Sequence, residues 1–216
     1  MIELNLVART GDFRLSAALQ GEGVICIAGK NGSGKTTLMR AIAGLLPVES
    51  GYIRLDGADV ARLPPEKRGV VLVSPSTFIR HLDVDSHIVW GAKQRRSIPS
   101  TEAVSRVKRA LGIDYSGTVG NLSRGMRQRV ALATALLASP RAILVDEAFS
   151  GLHQREAFIS AYGRLVKESG IDLLFSSQDE GDGSLSDALY VISGGSTTQS
   201  GKAQATGDVR PPTRQD

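Results

Sequence analysis

The chain has 216 residues, 41% hydrophobic and 22% charged, an ordinary globular composition that excludes wholesale disorder. Its 26 Lys and Arg against 22 Asp and Glu leave a net charge of +4, too small a surplus to mark a nucleic-acid binder. A single cysteine, Cys26, excludes an intrachain disulfide framework and a multi-cysteine zinc site. It lies in the apolar run Val24 to Ala28 and reads as a buried, inert thiol.

Taken in chain order, Ile2, Leu4 and Leu6 alternate with Glu3 and Asn5, which predicts a half-buried edge strand. This N-terminus has no basic region ahead of an apolar one, so it does not read as a signal peptide. A second strand is predicted through Phe13-Arg14-Leu15, ending before Gly21-Glu22-Gly23. Val24 to Ala28 is continuously apolar and ends in glycine, as a strand covered on both faces does. A glycine-rich loop follows, then Thr37 to Leu46 with Leu38, Ile42 and Leu45 at helical spacing. Gly69 to Val73, Ala142 to Asp146, Leu173-Leu174-Phe175 and Leu189 to Ile192 predict further buried strands. Buried strands separated by helical stretches indicate an α/β fold with a mostly parallel sheet.

Between Pro75 and Pro140 no comparable strand is found. Ser100 or Thr101 caps a predicted helix with Val104, Val107 and Leu111 on one face. Asn121-Leu122-Ser123 precedes a second helix reaching about Ala138. The expected organisation is a single unit over residues 1–201, with 1–73 and 141–192 as the core and 74–140 as an inserted helical lobe. Residues 202–216 are expected to be a flexible tail. The longest nearly apolar stretch, Val130 to Ala138, falls far short of the roughly 20 residues of a membrane-spanning helix. A cytoplasmic location follows as an expectation, any membrane role coming through a partner.

The strongest chemical signal is Gly29-Lys30-Asn31-Gly32-Ser33-Gly34-Lys35-Thr36-Thr37, which fits G-x-x-x-x-G-K-[ST] between a predicted strand and a predicted helix. Glycines let backbone N–H groups turn inward around phosphate oxygens, and a helix N-terminus adds a positive field. Lys35 is expected to reach the β- and γ-phosphates of ATP, and the Thr36 hydroxyl to ligate Mg²⁺. Ala142-Ile143-Leu144-Val145-Asp146-Glu147 then reads as a buried strand delivering two carboxylates to its C-terminal end, where ligands of open α/β sheets sit. Asp146 is expected in the Mg²⁺ shell and Glu147 as the general base that polarises water.

The third element is Leu122-Ser123-Arg124-Gly125-Met126, which opens the second helix of the middle region. A phosphate loop, an L-S-x-G helix start and a hydrophobic-Asp-Glu strand in this order resemble the ABC ATPases, and the resemblance extends over about residues 1–201. It implies a P-loop NTPase (RecA-like) core with a mostly parallel sheet, an antiparallel β edge and an inserted helical lobe. It also implies that residues 122–126 grip ATP held by another subunit, so the working unit is a head-to-tail homodimer or heterodimer. A membrane-spanning transporter subunit is the implied partner, with the chain peripheral on the cytoplasmic face and no nucleic acid involved. Residues 11–15, 57–69 and 81–84 look most like the archaeal-type molybdate/tungstate importer branch. The family places an aromatic ring near Phe13 to stack on adenine; the alternative is that Phe13 is a core strand residue.

The chain departs from the family pattern in three loops. Ser74 stands where the family has a glutamine that contacts Mg²⁺ and water. Gln178, in Ser176-Ser177-Gln178-Asp179, stands where it has a switch histidine, with Ser177 as an alternative alignment. A glutamine can donate to a γ-phosphate but carries no imidazolium charge. His153 replaces the acid of the family's S-A-L-D loop. Slow or weakly coupled hydrolysis is therefore expected, and a degenerate regulatory subunit is the alternative; a soluble ABC protein outside transport ranks last. His81, His87 and His153 lack partners at metal-ligand spacing. Lys93 to Arg96 and Arg106 to Arg109 are basic runs, either solvated or facing a membrane subunit or anionic lipid. Trp90 lies either in a docking groove or in the core.

Overall fold

The computed structural model describes residues 1–95 and 97–201, so the predicted tail and Arg96 lie outside it. Ten strands alternate with five α-helices among the described residues. In chain order they are β1 (Ile2–Thr10), β2 (Phe13–Gly21), β3 (Val24–Ala28), α1 (Lys35–Ala43), β4 (Val48–Leu55), β5 (Ala58–Asp59) and β6 (Val70–Val73). The helices α2 (Val84–Gln94), α3 (Thr101–Ala110) and α4 (Arg124–Leu137) follow. The chain then returns through β7 (Ala142–Val145), α5 (Arg155–Glu168), β8 (Asp172–Ser177), β9 (Ala188–Ser193) and β10 (Ser196–Gly201).

All strands join one sheet in the order β5-β4-β1-β2-β10-β9-β3-β8-β7-β6. From β9 to β6 the neighbours are parallel, whereas β5, β4, β1 and β2 pair antiparallel. The parallel half is the α/β sheet anticipated from the apolar runs, and the antiparallel edge is the one that the family resemblance implied.

The alternation of side chains along β3, β7 and β8 divides the interior in two. Val24, Cys26, Ala28, Ile143, Val145, Leu173 and Phe175 face a core completed by α2, α4 and α5. Ile25, Ile27, Leu144 and Leu174 face a second core closed by α1 and by β1, β2 and β4. Both faces are covered, which is why these strands are apolar at every position. Ile25 and Ile27 are fully buried, each gaining roughly 1.5–3 kcal/mol from leaving water. Cys26 is equally buried, and desolvation pushes its thiol up to about 12, the inert state expected of it. Phe149 sits edge-on to Phe158, Tyr162 and Phe175 with centroids 6.2, 5.9 and 5.6 Å away, fastening α5 to β8.

Three expectations are corrected. The helix expected to reach Leu46 with Leu45 on its apolar face ends at Ala43, and Leu45 is 52% exposed. The segment from Ile2 is not an edge strand, because β1 lies between β2 and β4. Its alternation reports one buried face but says nothing of hydrogen-bonding neighbours. Strands β4, β5 and β10 were not predicted, being largely polar and exposed, so they carry little periodic signal.

Between β6 and β7 lie α2, α3 and α4 and, among the described residues, an isolated bridge, Asp83 to Thr118, but no strand. Ser100 caps α3 by accepting the Ala103 N–H at 3.1 Å. Arg95, Lys93 and Trp90 are exposed on or just after α2, so the core alternative for Trp90 is set aside. No helix among the described residues is long and apolar enough to cross a membrane.

Candidate nucleotide-binding site

The glycine-rich loop leaves β3 at the C-terminal edge of the parallel strands. The Gly29 N–H donates to the Ser177 carbonyl at 3.1 Å, tying the loop to the end of β8. A Cβ on Gly29 would stand 2.4 Å from the Ile192 carbonyl oxygen, so only glycine lets the chain pass there. Gly34 precedes α1 at φ 114°, and its Cβ would meet the Phe13 ring at 2.9 Å. The first-turn N–H groups of α1 lack intrahelical acceptors and face the loop, the arrangement that attracts anions.

Lys35 is buried within this loop and donates to the carbonyls of Gly29 at 2.5 Å and Lys30 at 2.9 Å. Burial lowers its pKa, and the nearby charges of Glu147 and Asp146 work against that shift. A phosphate would complete the compensation that two carbonyls provide only in part. The Ser33 hydroxyl is also buried, without a hydrogen-bond partner among the described residues.

A cleft of about 310 Å³ is lined by Thr10, Phe13, Asn31, Gly32, Gly34, Lys35, Thr36, Thr37 and Glu147. The structure thus brings together the phosphate loop, the expected aromatic wall and one of the two acids. Thr10 is an addition that no motif signalled. It shares the β1–β2 turn with Phe13, its cross-strand partner.

Asp146 and Glu147 follow β7 directly. Asp146 is 8% exposed, and its Oδ1 accepts the Ser176 hydroxyl at 3.0 Å. The same hydroxyl accepts the Glu147 N–H at 3.0 Å. Glu147 is exposed and adopts a left-handed backbone at φ 56°, uncommon for a non-glycine residue and typical of functional positions. The Ser150 hydroxyl holds that turn by donating to the Glu147 carbonyl at 2.5 Å. Thr36 in the cleft lining and Asp146 at the end of β7, outside that lining, each offer hard oxygen donors. No cluster of three or more His, Cys, Asp or Glu suited to a metal occurs among the described residues. That donor set fits Mg²⁺, which keeps most of its shell as water and phosphate oxygen.

The remaining predicted residues lie outside the cleft lining. Ser123 is the N-cap of α4, accepting the Met126 N–H at 3.3 Å, and with Arg124 it is exposed. Gly125 packs toward Gly151, and Gln128 donates to the Ser150 carbonyl at 3.3 Å. The Leu122–Met126 helix start therefore abuts the turn after Glu147 in the same chain. The Ser74 hydroxyl is engaged locally with Thr77 at 2.9 Å and Ser76 at 3.2 Å. Gln178 is exposed after β8, and His153 is exposed before α5. Ser177 is buried and donates to Asp182.

A family model described as ABC transporter matches residues 13–150. A spermidine/putrescine import ATP-binding protein of Acidothermus cellulolyticus is 35% identical over 90% of this chain and 54% of its own length. A molybdenum import ATP-binding protein of Paramagnetospirillum magneticum is 34% identical over 95% of this chain and 60% of its own. The chain thus spans little more than half the length of these relatives. The crystal structure of an ATP-binding cassette of an ABC transporter in its ADP conformation superposes with a TM-score of 0.74. It is 24% identical, covering 92% of this chain and 90% of that one, a likeness of fold.

Proposed function

The chain belongs to the ABC transporter family, and on that premise we propose that it is the ATP-binding and ATP-hydrolysing subunit of a membrane importer. The observation that carries this reading is the cleft shared by Phe13, the phosphate loop and Glu147. In it the adenine stacks on Phe13, and residues Gly29 to Thr37 cradle the phosphates with Lys35 on the β- and γ-oxygens. Thr36 and Asp146 hold Mg²⁺, which when bound neutralises charge on those oxygens. Glu147 accepts a proton from the attacking water, and Gln178 and Ser74 orient water or the γ-phosphate by hydrogen bonds.

Residues 1–201 act as one ABC ATPase domain, with 1–73 and 141–192 as nucleotide-binding core and 74–140 as helical lobe. A second subunit, identical or related, supplies Leu122 to Met126 across the cleft in a head-to-tail dimer. That is supported by Ser123 standing exposed at a helix N-terminus, with no residue of 122–126 in the cleft lining of its own chain. The dimer works on the cytoplasmic face, against a membrane-spanning subunit. Import of a small oxyanion such as molybdate or tungstate is supported by residues 11–15, 57–69 and 81–84 and by the molybdenum relative. Turnover is slow, because Ser74, Gln178 and His153 replace sensing groups. A second reading, a subunit that holds ATP with little hydrolysis, is favoured by the local engagement of the Ser74 hydroxyl.

ATP hydrolysis by wild type and Glu147→Gln tests the reading. Activity in wild type that is lost in the variant supports the ATPase, and equal, near-zero rates favour the second reading. Size-exclusion of Glu147→Gln with ATP and Mg²⁺ tests the sandwich. A shift to twice the mass supports a homodimer, and a persistent monomer requires a different partner subunit. Transport of radiolabelled molybdate by the chain with a co-purified permease tests the cargo.

A further inference from the structure

Behind the end of β8 lies a polar unit, its Asp182 and Ser177 buried and its Arg155 half-buried, that the proposed mechanism does not use. Asp182 is 5% exposed in a short 3₁₀ turn, Glu180–Leu185. Its Oδ1 accepts Arg155 Nη1 at 2.6 Å, and its Oδ2 accepts both Arg155 Nη2 and the Ser177 hydroxyl. The Ser177 hydroxyl in turn accepts the Asp179 N–H at 3.0 Å. Burial alone would raise the Asp182 pKa. The bonds from Arg155 and Ser177, with the arginine charge, outweigh it and hold the carboxyl below its usual range.

The placement of these three residues is what distinguishes the unit from an ordinary buried ion pair. Arg155 is the first residue of α5, where the turn that begins at Glu147 ends. Ser177 closes β8, and its carbonyl accepts the N–H of Gly29, the first residue of the phosphate loop. Gln178 stands between Ser177 and Asp179, which one hydroxyl bridges. Arg155 and Ser177 thus bring the end of the Glu147 turn and the end of β8, with Gln178 beyond it, to one carboxylate, whereas the phosphate loop is held by the Ser177 backbone carbonyl and not by that carboxylate. A buried ion pair is often no more stabilising than apolar residues of equal volume, and its directional bonds fix geometry instead.

We propose that Asp182, with Arg155 and Ser177, is a positioning unit that sets Gln178 and the Glu147 turn for hydrolysis while leaving ATP binding untouched. The inference rests on the ATPase reading above. It assigns no direct contact with ATP to any of the three residues.

The test uses the full chain, with steady-state ATPase kinetics, equilibrium binding of a fluorescent ATP analogue and thermal unfolding measured on each variant. Asp182→Asn and Arg155→Met should lower kcat by about tenfold or more, with KM and nucleotide affinity within about twofold of wild type. Arg155→Lys should recover part of the loss, since it restores charge but not the fork. Should Asp182→Asn fail to fold, Ser177→Ala removes one donor only and should still lower kcat at unchanged KM. An unchanged kcat in these variants overturns the proposal. So does a loss in which kcat, affinity and Tm decline together, the mark of a purely structural pair. A wild type without Glu147-dependent turnover overturns the ATPase reading and this inference with it. A wild type with such turnover and an indifferent Asp182→Asn overturns the positioning role alone.

Discussion

The Ser176 hydroxyl donates to the Asp146 carboxylate across 3.0 Å, and the two residues come from neighbouring parallel strands in matched register. Val145 pairs with Phe175, so the residue after each strand position faces the same side of the sheet. The same hydroxyl receives the Glu147 N–H, so one serine orients both acids. Ser176→Ala should therefore raise the Mg²⁺ concentration needed for half-maximal ATPase activity by roughly tenfold, as loss of a partner behind a metal ligand does. A Mg²⁺ titration of the ATPase rate measures this, and an unchanged midpoint would show that Asp146 needs no such support.

Gly34→Ala should weaken nucleotide binding by about tenfold or more. It forces a side chain into φ 114°, a conformation that costs of order 1–3 kcal/mol, and brings a Cβ to 2.9 Å from the Phe13 ring. Both effects move the loop or the ring that frame the cleft. Equilibrium binding of fluorescent ATP checks it, with Gly32→Ala as comparison: Gly32 is also at positive φ, 76°, but no atom lies within 4 Å of a Cβ there, so a weaker loss in that variant isolates the clash with Phe13 from backbone strain.

Arg68 is buried and stitches the end of α1 to the segment before it. Its guanidinium donates to Ala41 and Ile42 at 2.7 and 3.0 Å, and to Leu63 and Ala61 at 2.8 and 2.7 Å. These bonds give donors to the Ile42, Leu63 and Ala61 carbonyls, add a second donor to that of Ala41, which also accepts the Gly44 N–H, and place a cation at the negative end of α1. Arg68→Met should cost about 2–4 kcal/mol of stability, because the carbonyls lose charged donors and remain buried. Urea unfolding measures the loss, and a cost below about 1 kcal/mol would mean that water replaces the guanidinium.

His87 predicts a pH dependence. Its Nε2 accepts the Ile79 N–H at 3.0 Å, so the neutral ring carries its proton on Nδ1 and gives it to the Thr134 hydroxyl at 2.8 Å. Burial lowers its pKa from 6.5, a backbone bond opposing the shift. The unfolded chain therefore binds a proton that the folded chain resists, and stability falls as pH drops below about 6.5 toward the depressed folded value. Wild type should be more stable than His87→Gln at pH 7.5, and the gap should narrow by pH 5. Thermal unfolding of both proteins across that range is the measurement; a constant gap would refute it.

The phosphate loop, the acids after β7 and the helix opened by Ser123 were legible because each is a contiguous run. Its chemistry comes from backbone freedom and from side chains a few bonds apart. The apolar runs of β3, β7 and β8 were legible for a related reason, since burial on both faces constrains every residue. Those local rules determined the α/β class, the glycine-rich loop between β3 and α1 and the burial of Cys26. They could not reach the inner position of β1, the polar strands β4 and β10, or the joining of Thr10 to the cleft. Nor could they pair Ser176 with Asp146 or converge Arg155, Asp182 and Ser177. Each of these depends on which distant strands become neighbours and in what register, which is set by how two whole cores close around the sheet.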